Sequence, residues 1–429
     1  VIGLMSSTLI GCSNTSSGAG KSVDKENARK ANNELIAAVT SEPETGFDAT
    51  DTGHGDMTSV FFSTLFKRNK NLGMENDLAK SYEISEDRLT WTVKIREDVK
   101  FTDGENLTAE DVVYTYEIAK NSGSSIDLTM LDSVSKVDDY TVEFKLKNPQ
   151  STFIEKLATV GIVPKHAHNE GFSDNPIGSG PYKLVQWDKG QQVIAEANEN
   201  YYGEKPSIKK LTMVFMDDDT AYAAVKAGEV DIASIPGSFA KEEVEGKKLI
   251  ELDSIETYGV AYPMEQPGKT TSDGYPIGNA VTSDETIRKA LTYAIDREEL
   301  VEGILEGYGA PSSTGLEKMP WLNEETIIKP EEDGKIDEAK KMLEEAGWKD
   351  TNNNGTIDKD GVEAEFDLLY TDGKYRQELG LAYVEVAKKL GIKVNLENRN
   401  WDTIVPEINS QAVLYGFGSG DPSEIYNLY

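Results

Sequence analysis

Cysteine is nearly missing from this chain: Cys12 is the only one in 429 residues, so no disulfide can form within it. Histidine is scarce too, confined to His54, His166 and His168. No segment beyond the amino terminus approaches eighteen consecutive apolar residues, so none reads as a helix spanning a bilayer. Basic residues are outnumbered, 44 against 76 acidic. The resulting charge of −32 repels phosphate backbones and anionic lipid surfaces, which argues against a nucleic-acid partner. Also missing are a Gly-x-Ser-x-Gly elbow, a phosphate-binding Gly-x-x-x-x-Gly-Lys loop and a His-Glu-x-x-His pair, so an enzyme is not expected. Only a paired-carboxylate glycosidase, whose acids have no fixed spacing, is left open by composition.

What is present begins at the amino terminus. Val1 to Gly11 is uncharged and mostly apolar, and it ends Leu9-Ile10-Gly11-Cys12, which resembles the lipobox cut by lipoprotein signal peptidase. On that reading Cys12 carries lipid on its thiol and an acyl chain on its freed amine, two anchoring signals that hold a protein stably at a membrane. The alternative is a buried cysteine after a short hydrophobic segment. Neither Met nor a positively charged region opens the chain, so the sequence is expected to start inside its own signal. Residues 13–32 follow as a tether whose first part is Ser, Gly, Asn and Thr, with a random-coil reach of about 25 Å.

The most informative stretch runs from Leu89 to Tyr116. Trp91, Val93 and Ile95 alternate with Thr92, Lys94 and Arg96, the period of a half-buried strand. Phe101-Thr102-Asp103-Gly104 turns the chain. Thr108, with Asp111 in the capping-box position, starts a helix whose apolar stripe includes Val112, Val113 and Tyr116.

Beyond it, strand-like and helix-like segments interleave. Strands are expected at Tyr140–Leu146, Tyr182–Trp187, Val193–Ala197, Leu211–Met216, Val230–Ile235, Ala364–Tyr370 and Ile392–Leu396. Helices are expected at Ala221–Ala227, at Asp284–Ile295 capped by Ser283, at Asp337–Ala346 and at Tyr375–Leu390. The alternation predicts an α/β fold, and the length predicts two or more domains.

Leu89 to Tyr116, Gly178-Ser179-Gly180-Pro181-Tyr182, Gly228-Glu229-Val230-Asp231-Ile232 and the run from Ile287 to Arg297 resemble, in order, signatures of the bacterial solute-binding proteins that serve peptide and nickel ABC transporters. The resemblance implies a two-lobed periplasmic-binding-protein fold of the large class II type, in its three-subdomain variant. Residues 1–12 would be partial signal and lipobox and 13–32 tether. Lobe I would use 33–48 and 175–254, with an inserted subdomain at 49–174, and lobe II would occupy 255–429. In the family the second lobe hands the chain back to the first, so the carboxy-terminal part is expected to be missing here.

The implied function is capture of short peptides by hinged closure of two lobes and delivery to an ABC permease. The protein would be a lipid-anchored, extracytoplasmic monomer that needs no cofactor. In peptide-binding members a second-lobe carboxylate pairs with the peptide amine; the matching acid here is Asp421, in Gly416 to Pro422, with a surface Asp-Pro turn as the alternative. Phe417 and Trp401 fall where cleft-lining aromatics are common, or are ordinary core. Arg376 opens a long helix and is placed to take a ligand carboxylate bidentately, unless it is only a solvated helix-end residue.

Two readings compete with peptide cargo: a nickel or metal-chelate binder of the same family, and a surface receptor or adhesin on the same scaffold. His54, in Thr52-Gly53-His54-Gly55-Asp56, is the feature that favours the metal chelate. His166 and His168 are spaced for chelation on a strand but follow Pro164, which suggests an exposed connection. Asp350, Asn352, Asn354 and Asp358, with Gly355, reproduce the first part of a calcium loop, though position twelve is Gly361 and Asp360 or Glu363 would have to substitute for the usual Glu. A polar hairpin turn is the alternative to a structural calcium.

Overall fold

The computed structural model describes residues 27–43, 45–51, 57–122, 126–315, 319, 322–323, 325, 333–373, 375–419 and 421–422. Cys12 and His54 therefore lie outside the described residues. The chain divides into two compact units. The first runs to Ile235 and adds Val244–Lys247; the second takes Pro236–Glu243 and everything from Lys248 onward.

In the first unit the strand Thr90–Ile95 buries Trp91, Val93 and Ile95, as its period predicts. The Thr108 backbone N–H donates to Asp111 Oδ2 at 2.9 Å, and Thr108 Oγ1 accepts from the Glu110 N–H at 3.3 Å. These bonds start the helix Ala109–Asn121 by satisfying donors that the helix itself leaves orphaned. Its apolar face, Val112 and Tyr116, meets Trp91, Phe144 and Phe153. The sheet beneath is antiparallel throughout and ordered Ala79–Ile84, Thr90–Ile95, Thr141–Leu146, Leu131–Asp138, so the last two strands are reversed relative to chain order.

A second sheet in this unit pairs Glu34–Val39 in parallel with Lys210–Phe215, and continues antiparallel through Gln192–Ala197 to Tyr182–Asp188. Phe47, Phe61, Phe62 and Met213 fill its core. The Gly178 to Tyr182 signature has a steric cause. A Cβ at 178 would overlap the Phe61 carbonyl oxygen, and one at 180 would lie 2.5 Å from Phe61 C and 2.7 Å from Phe62 N. Two backbones pass in contact, and the Gly180 N–H donates to Phe61 O at 2.9 Å.

Val230–Ile235, expected as a strand, makes only a bridge between Ala37 and Ile232. The Asp231 carboxylate accepts the Ile36 N–H at 2.8 Å, the bond a ladder carbonyl would otherwise make. Arg29 Nε and Nη2 hold the same carboxylate at 3.0 and 2.8 Å. The preceding helix is Asp218–Lys226, capped by Asp217, and so begins earlier than the expected Ala221.

The second unit carries a four-stranded sheet ordered Thr257–Ala261, Ala412–Phe417, Glu365–Tyr370, Lys393–Asn398. Glu365–Tyr370 runs parallel to both of its neighbours, while Thr257–Ala261 is antiparallel to Ala412–Phe417. Helices Glu285–Ala294, Ile336–Glu345 and Arg376–Lys389 contribute to the core through Ile287, Leu291, Leu343, Tyr383 and Ala387. Asp284, not the expected Ser283, caps the first of them. Its Oδ2 also accepts from Trp348 Nε1 and Lys359 Nζ, each at 3.0 Å, and that tertiary clip selects between two adjacent cap formers. Within this core Tyr262 and Tyr383 join hydroxyl to hydroxyl at 2.7 Å.

Candidate functional site

Open α/β sheets bind ligands beyond the carboxyl ends of their strands, where loops leave the sheet together. In the second unit that edge is set by Tyr370, in register with Asn398, and by Phe417 on the other neighbour of the central strand. Arg376 lies six residues after Tyr370, Trp401 three after Asn398, and Asp421 four after Phe417. The four residues singled out in the second unit thus leave one edge of one sheet.

Arg376 Nη1 donates to Thr371 Oγ1 and to the Asp372 carbonyl, both at 3.0 Å. Its Nε is buried with no hydrogen-bond partner among the described residues. The neighbouring Tyr375 is held left-handed, at φ 66°, a conformation that costs about 1–3 kcal/mol and clusters at ligand sites. Its hydroxyl accepts from the Gly237 N–H at 3.1 Å. Trp401 is 48% exposed at the start of a helical turn capped by Asn400, so the core alternative for it falls away. Phe417 is half-buried, as is Asp421, whose N–H donates to Ser419 Oγ at 3.1 Å.

Two residues at this edge escaped the sequence reading. Tyr258 pairs with Gly416 across the antiparallel ladder. Burial, joined by the adjacent Glu256 carboxylate, pushes the Tyr258 phenol up to about 12 against the opposing pull of Arg376. A Cβ at Gly416 would overlap Glu256 Oε1, and one at Gly418 would lie 3.0 Å from Glu256 Cα. The alternating glycines of Gly416-Phe417-Gly418 were the available signal, but they do not say which side chain occupies the space above them.

The remaining candidates lie elsewhere. His168 Nε2 meets Asp48 Oδ2 and its Nδ1 meets the Tyr114 hydroxyl, both at 2.9 Å, while His166 Nε2 meets Asp103 Oδ2 at 2.7 Å. Each ring has its own carboxylate, so the two do not form a chelating pair, and His168 is largely buried rather than in an exposed connection. In the calcium-like loop Asp350 accepts from the Asn354 N–H at 3.1 Å and the Gly355 N–H at 2.9 Å. Asn352 Nδ2 and Asn354 Nδ2 both donate to Glu363 Oε1, at 3.0 and 2.6 Å. Asp358 turns away from them, its carboxylate accepting from the Thr351 N–H and hydroxyl. Among the described residues no three His, Cys, Asp or Glu side chains group closely enough to hold a metal.

Residues 73–429 match the bacterial extracellular solute-binding proteins, family 5 Middle. The oligopeptide-binding protein AppA of Bacillus subtilis (strain 168) is 32% identical over 430 residues, covering 95% of this chain and 76% of the relative. Among solved structures, NikZ from Campylobacter jejuni in complex with Ni(L-His) matches with a TM-score of 0.77 at 27% identity, over 92% of this chain and 79% of that one. Bacillus subtilis AppA in complex with a nonapeptide matches with a TM-score of 0.69 at 30% identity, over 90% and 80% respectively.

Proposed function

Because the chain belongs to the bacterial extracellular solute-binding proteins of family 5, we propose that it captures short peptides outside the cytoplasm and delivers them to an ABC permease. The family is one of solute-binding proteins, with the mixed α/β fold of periplasmic binding proteins. The observation that carries the peptide reading is the carboxyl edge of the second-unit sheet. There a guanidinium with an unpartnered Nε, an exposed indole and an acidic loop share one rim. Arg376 suits a carboxylate and Trp401 and Phe417 suit side chains of varied shape. Asp421 supplies negative charge at the same rim. The relative AppA is named for oligopeptide binding.

A metal chelate is the second reading, favoured by the match to NikZ bound to Ni(L-His). Against it, His166 and His168 are each engaged by a carboxylate, which leaves this reading to His54. Native mass spectra of the protein, alone and after adding peptide mixtures or nickel with histidine, separate the two. Retained masses of short peptides support the first reading; a nickel-dependent mass without peptide replaces it with the second.

Lipidation at Cys12 completes the proposal, holding a monomer beside its permease through the tether. The loop from Asp350 to Glu363 takes a structural calcium, with Asp350, Asn352 and Asn354 as oxygen donors and Glu363 in place of the missing position-twelve acid. Asp358 stays with Thr351. An unchanged melting temperature on adding EGTA, and again on restoring calcium, would remove that part.

A further inference from the structure

We infer that Tyr375 is a positioning residue: it ties the strap Pro236–Glu243 to the arm that presents Arg376, so that docking of the strap and capture of a ligand carboxylate strengthen each other. The assignment rests on the peptide reading above. The strap belongs to the second unit, although the chain before it, up to Ile235, and after it, from Val244 to Lys247, belongs to the first. It carries a short helical turn, Gly237–Phe239, in which the Phe239 N–H donates to Pro236 O at 3.1 Å and the Ala240 N–H to Gly237 O at 3.0 Å. Two contacts fasten it. Gly237 is buried with its N–H donating to the Tyr375 hydroxyl, and Lys241 Nζ meets Glu306 Oε2 at 2.8 Å. A Cβ at 237 would lie 3.2 Å from Leu305 O, 3.3 Å from the Tyr375 hydroxyl oxygen and 3.4 Å from Tyr308 Cδ2, so the docking point closely fits bare backbone.

Glycine is the usual occupant of a left-handed position, and a bulky side chain there is an outlier. Tyr375 is the only aromatic residue among the described ones to hold such a position. A strained residue of this kind persists only where its surroundings over-determine it. Both ends of Tyr375 are fixed: its hydroxyl by the strap, and its carbonyl by the Leu379 N–H at 2.9 Å, where the helix Arg376–Lys389 begins. The left-handed residue turns the chain back on the arm it has just left, so the Arg376 guanidinium folds over that arm. Its Nη1 reaches Thr371 Oγ1 and the Asp372 carbonyl, and a Cβ at Gly373 would overlap it. With Nη1 committed to the arm, the edge bearing Nε, which has no hydrogen-bond partner among the described residues, is the face left for a carboxylate. Releasing the strap frees the Tyr375 side chain, and with it the backbone that sets this pose. By linkage, a ligand that favours the pose favours the docked strap.

The test uses the full chain and two probes: a randomised pentapeptide mixture with free carboxyl termini, and the same mixture amidated at that end. Binding is read by native mass spectrometry, and hydrogen exchange on peptides covering residues 236–243, for the wild type, Tyr375→Phe and Lys241→Gln. The wild type should prefer the free carboxylate, and that probe should slow exchange in the strap while the amidated one leaves it unchanged. Tyr375→Phe, which keeps the ring and removes the acceptor, should lower the preference by about 2- to 10-fold, the range of one hydrogen bond, with exchange in the strap fast whether or not peptide is bound. Lys241→Gln loosens the strap without altering Tyr375 or Arg376, and should lower the preference in the same direction. A purely structural tyrosine would instead lower the melting temperature and weaken both probes alike, and that result overturns the inference. So does a preference that survives in Tyr375→Phe, or a wild-type strap whose exchange ignores bound peptide. If the wild type retains neither mixture, the peptide reading itself has failed and the inference falls with it.

Discussion

Replacing Gly180 with Ala tests the claim that two backbones touch in the first unit. The new methyl carbon would meet Phe61 C at 2.5 Å, Phe62 N at 2.7 Å and Phe61 O at 2.8 Å, where relaxed carbon contacts sit near 3.5–4.0 Å. None of the three atoms is a flexible side-chain end, so the segments must part by roughly 1 Å. That separation breaks the Gly180 N–H bond to Phe61 O and strains the bond from Ser63 Oγ to Ser179 O, now 2.9 and 3.1 Å. Overpacking contributes about 1–3 kcal/mol and the one lost buried bond about 1, so the first unit should lose about 2–4 kcal/mol. Gly180 does not sit at positive φ, so backbone strain does not confound the result. Urea unfolding followed by hydrogen exchange, read on peptides from residues 90–146 and 182–215, isolates this unit from the second. Gly259→Ala, where nothing lies within 4 Å, is the control and should change stability by less than about 0.5 kcal/mol. A Gly180→Ala protein as stable as the control would refute the steric account of the Gly-Ser-Gly-Pro-Tyr signature.

Three further outcomes follow from the same contacts. The Asp231 carboxyl is held below 3.8: burial pushes it up, but the Arg29 guanidinium and the Ile36 N–H outweigh burial. A depressed acid stabilises the fold above its unfolded value and loses that contribution as pH falls through the folded one, so the wild-type melting temperature should drop below pH 3.8 more steeply than that of Asp231→Asn, and parallel curves would refute the linkage. Tyr383→Phe should cost about 1–3 kcal/mol by stranding the Tyr262 hydroxyl, while the double change to Phe at 262 and 383 should recover most of it in a double-mutant cycle. Cys12→Ser should move the protein from the detergent phase to the aqueous phase on Triton X-114 partition, and an unchanged partition would end the lipobox reading.

How far the sequence could be read depended on whether the cause was local. The Thr108 cap with Asp111, the Trp91-Val93-Ile95 period and the helix expected at Tyr375–Leu390, observed as Arg376–Lys389, are each decided within a few residues, and each is found where expected. The strand Ala412–Phe417 was not anticipated, because Gly416 weakens its β pattern and its place depends on neighbours from Thr257–Ala261 and Glu365–Tyr370. Val230–Ile235 read as a strand, but its ladder is confined to Asp231 and Ile232, whose N–H and carbonyl bond Ile36 O and the Ala38 N–H, so it forms a bridge and no more. At the candidate site Arg376, Trp401, Phe417 and Asp421 were singled out from the sequence, and the strands they follow share one sheet. Glu256 was not, because what distinguishes it is the empty backbone of another strand.

The parallel pairing of Glu34 with Lys210 sets an order of events in time. The sheet from Ala79 to Leu146 is built on two hairpins of strands adjacent in the chain, Ala79–Ile84 with Thr90–Ile95 and Leu131–Asp138 with Thr141–Leu146, so their loops close early, before the pairing of Thr90–Ile95 with Thr141–Leu146 joins them. Glu34–Val39 has no such neighbour. As the chain lengthens from its amino end, this strand must wait for Lys210–Phe215 before its edge is covered, through the whole formation of those two hairpins. During that interval it is an unpaired apolar strand, open to pairing with another copy. Refolding should therefore show a fast phase from the two hairpins and a slower, concentration-sensitive one from the sheet of Glu34–Val39, and a chaperone acting on this protein would find most of its work in the second.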